Sequence, residues 1–140
     1  MNRQLKIFWI GILLYVVSFF LLAVSWPIPH SSATPGFFCA VWALVVPLRE
    51  ATLSGSPFQH KPFALVFLFV SGLINPVFIA TAFLDLAGQY ERTVRVLRIV
   101  VLAMIPFCWM SFNSFGLYPR EGHYVWILGI LTVLFSHKLV

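Results

Sequence analysis

Charged residues are scarce in this chain, and their scarcity excludes most soluble architectures. Only 9% of the 140 residues are Asp, Glu, Lys or Arg, whereas 61% are hydrophobic. A soluble domain contains roughly 25% charged and about 45–50% apolar residues. A globule this small has too little interior to bury such an excess, because surface outgrows volume as size falls. We therefore predict a protein that exposes its apolar side chains to lipid.

Metal-ligand and redox patterns are also missing. The two cysteines, Cys39 and Cys108, lie within apolar runs, and no CxxC occurs; a thiol in such a run behaves as a small hydrophobic group. The histidines all lie in loops or at the ends of apolar runs: His30, His60, His123 and His137. No facing pair is available for a haem inside the membrane. We predict no metal and no cofactor, and keep a peripheral redox or metal site as an alternative.

Catalytic and nucleic-acid signatures are absent as well. There is no nucleophile elbow and no HExxH motif. No acidic residue has a helical partner at catalytic spacing: Glu50, Asp85, Glu91 and Glu121. The net charge of +5 comes from basic residues that stand singly or in small clusters at the ends of apolar runs. Nucleic-acid affinity requires several phosphates neutralised together, so we predict no catalytic residue and no nucleic-acid partner.

Long apolar runs are what the sequence has in abundance. A helix of about 20 residues crosses the roughly 30 Å of hydrocarbon in a bilayer. We predict one membrane-embedded domain, 1–140, and an all-α fold, a polytopic transmembrane helical bundle with four to five membrane helices. The predicted helices cover about residues 7–26, 37–53, 63–84, 94–118 and 124–137.

Three arginines precede the fourth run at intervals of three residues: Arg92, Arg95 and Arg98. We call them the arginine cluster. The arginines of a voltage sensor lie inside the span, whereas these lie before it. Glu91 and Arg95 are spaced for an i,i+4 ion pair. We predict that the arginine cluster contacts anionic lipid headgroups.

The second run determines the number of crossings. Its apolar part, Phe37–Leu48, has the length of a re-entrant or interfacial segment, and an extension to Leu53 includes Arg49 and Glu50. With five crossings and the N-terminus on the cytoplasmic side, the arginine cluster lies outside. That position opposes the tendency of Lys and Arg to stay cytoplasmic. If the second run returns without crossing, the cluster lies inside together with Lys138. Helix length permits five crossings, and the charge rule favours four.

Polar residues interrupt the third and fourth runs. Proline at position 76 leaves a carbonyl one turn earlier without its usual donor, and such groups are costly in hydrocarbon. Asn75 can satisfy that carbonyl, bond a neighbouring helix, or line a small cavity. Broken helices at the midplane mark binding sites in transporters, although no second matching half occurs here. Asn75, Pro76 and Asn113 are therefore the candidate intramembrane polar positions, with a structural kink favoured over a binding site.

A set of short motifs runs along the chain: Pro35-Gly36 at the second run, Ile74-Asn75-Pro76-Val77 within the third, and Gly122-His123-Tyr124-Val125-Trp126 at the last. In this order the chain resembles a group of small uncharacterised bacterial multi-pass membrane proteins. It departs from their pattern before the Asn-Pro pair, where Leu73 and Ile74 replace an aromatic residue and an alanine. The resemblance implies a similar helical fold in a bacterial plasma (inner) membrane and implies no activity.

Three functional hypotheses follow. The first is an accessory or structural subunit that packs in a larger membrane complex, with the lipid bilayer and other membrane protein subunits as partners. The second is a self-associating channel or small-solute transporter with Asn75, Pro76 and Asn113 near the pathway. The third is a membrane-bound redox or metal-binding protein, which lacks the expected His and carboxylate pairs.

Overall fold

The computed structural model describes residues 3–25, 33–52, 62–88 and 90–136. Within them the chain forms mostly helix, as predicted. The elements follow the order α1 (Arg3–Ser18), β1 (Leu22–Ser25), β2 (Thr34–Pro35), α2 (Gly36–Thr52), α3 (Pro62–Leu86), α4 (Glu91–Phe115), β3 (Tyr118–Pro119) and α5 (Glu121–Phe135). They belong to two compact units: Met1–Phe37 with Tyr118–Val140, and Phe38–Leu117. We call these the terminal unit and the central unit.

Two helices of the central unit are long and apolar enough to cross a membrane. These are α3 and α4, with 25 residues each, which corresponds to about 37 Å of helix. In the terminal unit, α5 is apolar but shorter. The length and composition of α3 and α4 are consistent with membrane association, and four to five crossings stay a prediction.

The first helix departs most from the sequence-based expectation. It ends at Ser18, and Leu22–Ser25 form a strand where the apolar run predicted continuing helix. This strand, β1, is the middle strand of a three-stranded antiparallel sheet with the order β2-β1-β3. The structure begins this helix earlier, at Arg3, and the predicted helix 7–26 is wrong over residues 19–25, where a turn leads into β1 and the strands β2 and β3 satisfy the backbone of β1. Trp26 lies outside the described residues.

The remaining predicted helices match to within a few residues, with differences at the ends of α4 and α5. Gly116 ends α4 with a positive φ of 66°, and its N–H donates to the carbonyl of Asn113. A left-handed glycine is a common helix stop, so the predicted extension to 118 is wrong. In α5 the helix begins at Glu121 and ends at Phe135. Ser136 follows as a turn, and His137 lies outside the described residues.

In the terminal unit α1 packs antiparallel to α5 through glycine. The buried face of α1 consists of Phe8, Gly11, Tyr15 and Ser18, a spacing of three and four residues that defines one helical face. A Cβ atom on Gly129 of α5 would lie 2.6 Å from the backbone nitrogen of Tyr15. The two backbones therefore touch here, as small residues allow at membrane helix interfaces.

In the central unit α3 and α4 form an antiparallel hairpin. The buried face of α3 includes Ile74, Phe78 and Thr81. That of α4 includes Val94, Val101 and Cys108, seven residues apart, which is the repeat of a packed helix pair. Gly88 in the connecting turn has φ 64°. The outer face stays apolar: Phe63 and Phe83 are 74% and 75% exposed.

Candidate functional site

An ion pair joins α3 to α4 near their connecting turn. Nη2 of Arg98 donates to both carboxylate oxygens of Asp85, at 2.9 Å to Oδ1 and 2.8 Å to Oδ2. The side chains are 21% and 11% exposed. A charged pair that is mostly withdrawn from water is stable when hydrogen bonds accompany the opposite charges. The pair therefore fixes the register of the two helices at this end of the hairpin.

The other members of the arginine cluster stay exposed. Arg92 and Arg95 are exposed, whereas Arg98 is engaged by Asp85. The expected ion pair between Glu91 and Arg95 does not form within 4.0 Å, whereas Arg98 pairs with Asp85 and Arg120 with Glu121. Arg92 and Arg95 thus remain available for the predicted contact with lipid headgroups.

Asn75 and Pro76 lie near the middle of α3. Asn75 is half-buried, and Pro76 is exposed on the outer face of the hairpin. Hydroxyl side chains on either side of the proline donate to backbone carbonyls: Ser71 Oγ to Leu68 at 2.7 Å and Thr81 Oγ1 to Val77 at 2.7 Å. Pro76 removes the usual donor from the carbonyl of Gly72, and these two bonds go to other carbonyls. Around Pro76, α3 continues as one helix from Pro62 to Leu86.

The structure does not bring Asn75 and Asn113 together. The rings of Phe67 and Phe107 lie 5.9 Å apart, which places these two residues at about one level of the hairpin. Asn75 lies eight residues from Phe67 toward the connecting turn, whereas Asn113 lies six residues from Phe107 away from that turn. The two amides therefore lie at different levels along the hairpin axis. Asn113 is exposed near the end of α4, so a pathway within one hairpin does not contain both amides.

A second polar cluster lies at the sheet end of the terminal unit. The His123 ring stacks on Trp126, with centroids 5.5 Å apart and an interplanar angle of 27°. Arg120 Nε donates to Glu121 Oε2 at 3.2 Å. The backbone amide of Glu121 and the Arg120 guanidinium together hold the pKa of this exposed carboxyl below its ordinary value. Backbone N–H of Arg120 donates to the carbonyl of Ala23 in β1, at 2.8 Å.

His123 is buried and belongs to the packing of α5 in this arrangement. The other three histidines, His30, His60 and His137, lie outside the described residues. Within the described ranges no group of three His, Cys, Asp or Glu side chains is placed to hold a metal ion. Neither Cys39 nor Cys108 forms a disulfide in the described part of the chain.

Sequence reasoning missed the Asp85–Arg98 pair and the sheet. The signal for the ion pair was available: opposite charges stand on both sides of a short Gly-containing turn between two long apolar runs. In an antiparallel hairpin such residues come close together. No comparable local signal marks the sheet, because two of its strands are two residues long.

Comparison with known protein families, with curated proteins and with solved structures gave no match. The resemblance to small bacterial membrane proteins therefore stays a prediction, and the function is argued from the geometry.

Proposed function

We propose that this chain is a multi-pass integral membrane protein of a bacterial plasma membrane and acts as an accessory subunit packed against a larger membrane protein. The observation that carries the proposal is the exposed apolar surface of the central unit. Only 28% of the apolar window of α3 and 17% of that of α4 are buried within the chain. The rest needs lipid or another protein, because water disfavours apolar surface of this extent.

The composition of that surface favours a protein partner for part of it. Large aromatic side chains project outward from the hairpin, with Phe63, Phe83 and Trp109 among the exposed residues. Aromatic residues are enriched at protein–protein interfaces, where they contribute large contact areas. By contrast, the Asp85–Arg98 pair and the Ser71 and Thr81 hydroxyls are engaged within the hairpin. Apart from exposed polar residues near the ends of α4, such as Arg92, Arg95 and Asn113, the external contacts of the hairpin are therefore mostly apolar.

The test is purification of the tagged protein in mild detergent, followed by native mass measurement of everything that accompanies it. We expect a larger membrane protein in fixed stoichiometry. Phe83→Ala on the outer face should weaken that association while the chain stays folded, since exposed substitutions change stability by no more than about 0.5 kcal/mol. Phe78→Ala on the buried face of the same helix is the matched control for loss of folding. A monomer free of partners would overturn the proposal.

A homo-oligomeric channel or small-solute carrier is the second candidate. The exposed position of Pro76 at the middle of α3 favours it, because the proline leaves a backbone carbonyl without its usual donor, and such a group can line a pathway between copies. Purification as a defined homo-oligomer, with solute flux in liposomes that Asn75→Leu abolishes, would support this candidate over the first.

A further inference from the structure

We propose that α2 is a re-entrant helix, which enters the bilayer from the side of the sheet and whose chain leaves on that same side. If α1 and α5 also cross, the chain then crosses the membrane four times. This inference rests on the proposed function in one respect, since it takes α3 and α4 to cross the bilayer. Its other premises are the hydrogen bonds of the sheet and the covalent continuity of the chain.

The sheet fixes the start of α2 and the end of α4 on one side of the membrane. Strand β2 directly precedes α2, and both β2 and β3 pair with β1. The amide of Gly36 donates to Leu21 at 3.0 Å, which holds the first residue of α2 close to the end of α1. From Phe115 at the end of α4 to Tyr118 in β3 the chain reaches at most about 11 Å. That distance is far short of the roughly 30 Å of hydrocarbon.

The hairpin then fixes the start of α3. Each crossing moves the chain from one side of the bilayer to the other, so two consecutive crossings restore the original side. Because α3 and α4 both cross, Pro62 lies on the same side as Phe115, which is the side of the sheet. Residues 36–61 therefore begin and end on one side. A single complete crossing by α2 is incompatible with the strand pairing.

The packing of α2 agrees with this path. A Cβ atom on Gly72 of α3 would lie 2.8 Å from the carbonyl carbon of Ala43, so the two backbones touch there. In the described residues α2 has no long packing seam with another helix of the kind that joins α3 to α4. Ala43 is seven residues into α2, or about 10 Å along its axis. The helix thus meets α3 at a crossing point instead of running beside it as a full span.

The sequence of α2 changes character beyond that crossing point. Residues 36–46 are apolar or small, and Pro47, Arg49 and Glu50 follow before the helix ends at Thr52. A complete span requires about 20 predominantly apolar residues. The nine residues from 53 to 61 connect α2 to α3, and a chain of that length reaches about 30 Å when extended. It is long enough to return to the side of the sheet.

The charge distribution gives independent support and an orientation. With α1 and α5 also crossing, six of the nine Lys and Arg residues fall on the side of the α3–α4 turn: Arg3, Lys6, Arg92, Arg95, Arg98 and Lys138. Five crossings would divide the nine almost evenly. Since Lys and Arg concentrate in cytoplasmic loops, the turn and both termini are cytoplasmic and the sheet faces the opposite side.

The test is labelling of single cysteines in intact cells with a membrane-impermeant maleimide. The background is the full chain with Cys39→Ala and Cys108→Ala, and the probes are Ser31→Cys, Ser56→Cys, Ala87→Cys and Glu121→Cys. We expect Ser31→Cys, Ser56→Cys and Glu121→Cys to react in intact cells and Ala87→Cys only after permeabilisation. The parent chain without cysteine is the control for background labelling.

The outcomes separate the two proposals. If Ser31→Cys and Ser56→Cys react from opposite sides while Ala87→Cys stays opposite to Ser56→Cys and Glu121→Cys, the hairpin crosses and only the re-entrant α2 is overturned. If Ala87→Cys reacts from the same side as Ser56→Cys and Glu121→Cys, the hairpin does not cross. The proposed membrane function then fails, and the inference on α2 fails with it.

Discussion

Asp85 and Arg98 show how two charged residues become part of a hairpin whose two helices are long and apolar enough to cross a membrane. Each would be costly alone next to hydrocarbon, because desolvation opposes an isolated charge. Together they share two hydrogen bonds, and the pair lies close to the turn, where water and headgroups are within reach of its exposed edges. Arg98 therefore differs in its surroundings from Arg92 and Arg95, although the three arginines form one sequence pattern.

Asp85→Asn should destabilise the hairpin by about 1–3 kcal/mol, because Arg98 then keeps its charge without its carboxylate partner. The measurement is thermal unfolding in detergent across a double-mutant cycle with Arg98→Gln. We expect the double variant to lose less stability than the two single losses added together.

Glu121→Gln is the matched control for an exposed ion pair. Arg120 and Glu121 are 45% and 55% exposed, and exposed pairs contribute about 0–1 kcal/mol. Equal losses at Asp85 and Glu121 would contradict a structural role for the buried pair.

The α1–α5 pair depends on close backbone approach more than on side-chain size. Gly129 faces the backbone of Tyr15, and Gly11 faces that of Val133. Because lipid is as apolar as the side chains, association between membrane helices relies on such close packing. Apolar periodicity indicates which face of each helix is buried, but the identity of the partner helix depends on these contacts.

Gly129→Ala should weaken the α1–α5 contact by about 1–3 kcal/mol, since an added methyl group forces the helices apart. The measurement is the unfolding midpoint in detergent. Leu128→Ala, one residue earlier and 54% exposed, is the control and should change stability by no more than about 0.5 kcal/mol. A Gly129→Ala variant as stable as the Leu128→Ala variant would show that the two backbones do not touch.

The whole chain is expected to behave as an integral membrane protein because α3 and α4 each carry 25 residues with mean hydropathy 2.3 and 1.8 over their most apolar windows. We expect it to remain in the membrane pellet after an alkaline carbonate wash, which removes peripheral proteins. Immunoblotting of pellet and supernatant measures this, and Phe83→Ala should be retained equally. Release into the supernatant would argue against a spanning hairpin.

Prediction from sequence was accurate for features whose free energy depends only on residues that are neighbours in the chain. The transfer of an apolar run into lipid depends on the residues of that run, so the helices over 63–84 and 94–118 could be recognised, with their ends displaced by one to three residues. The stop at Gly116 is also a local effect, one that the apolar pattern alone overlooked.

The sheet, the Asp85–Arg98 pair and the path of α2 depend on contacts between segments and could not be predicted from any one run of the sequence. Val24 pairs with Thr34, across a connection outside its own apolar run, and with Pro119, which is far away in the chain, so no single run carries the signature of the sheet. The ion pair depends on the register of two packed helices, and the side on which α2 ends follows from where β3 binds. Local hydrophobicity accounts for which segments prefer lipid, whereas long-range hydrogen bonds and helix contacts account for how those segments are connected.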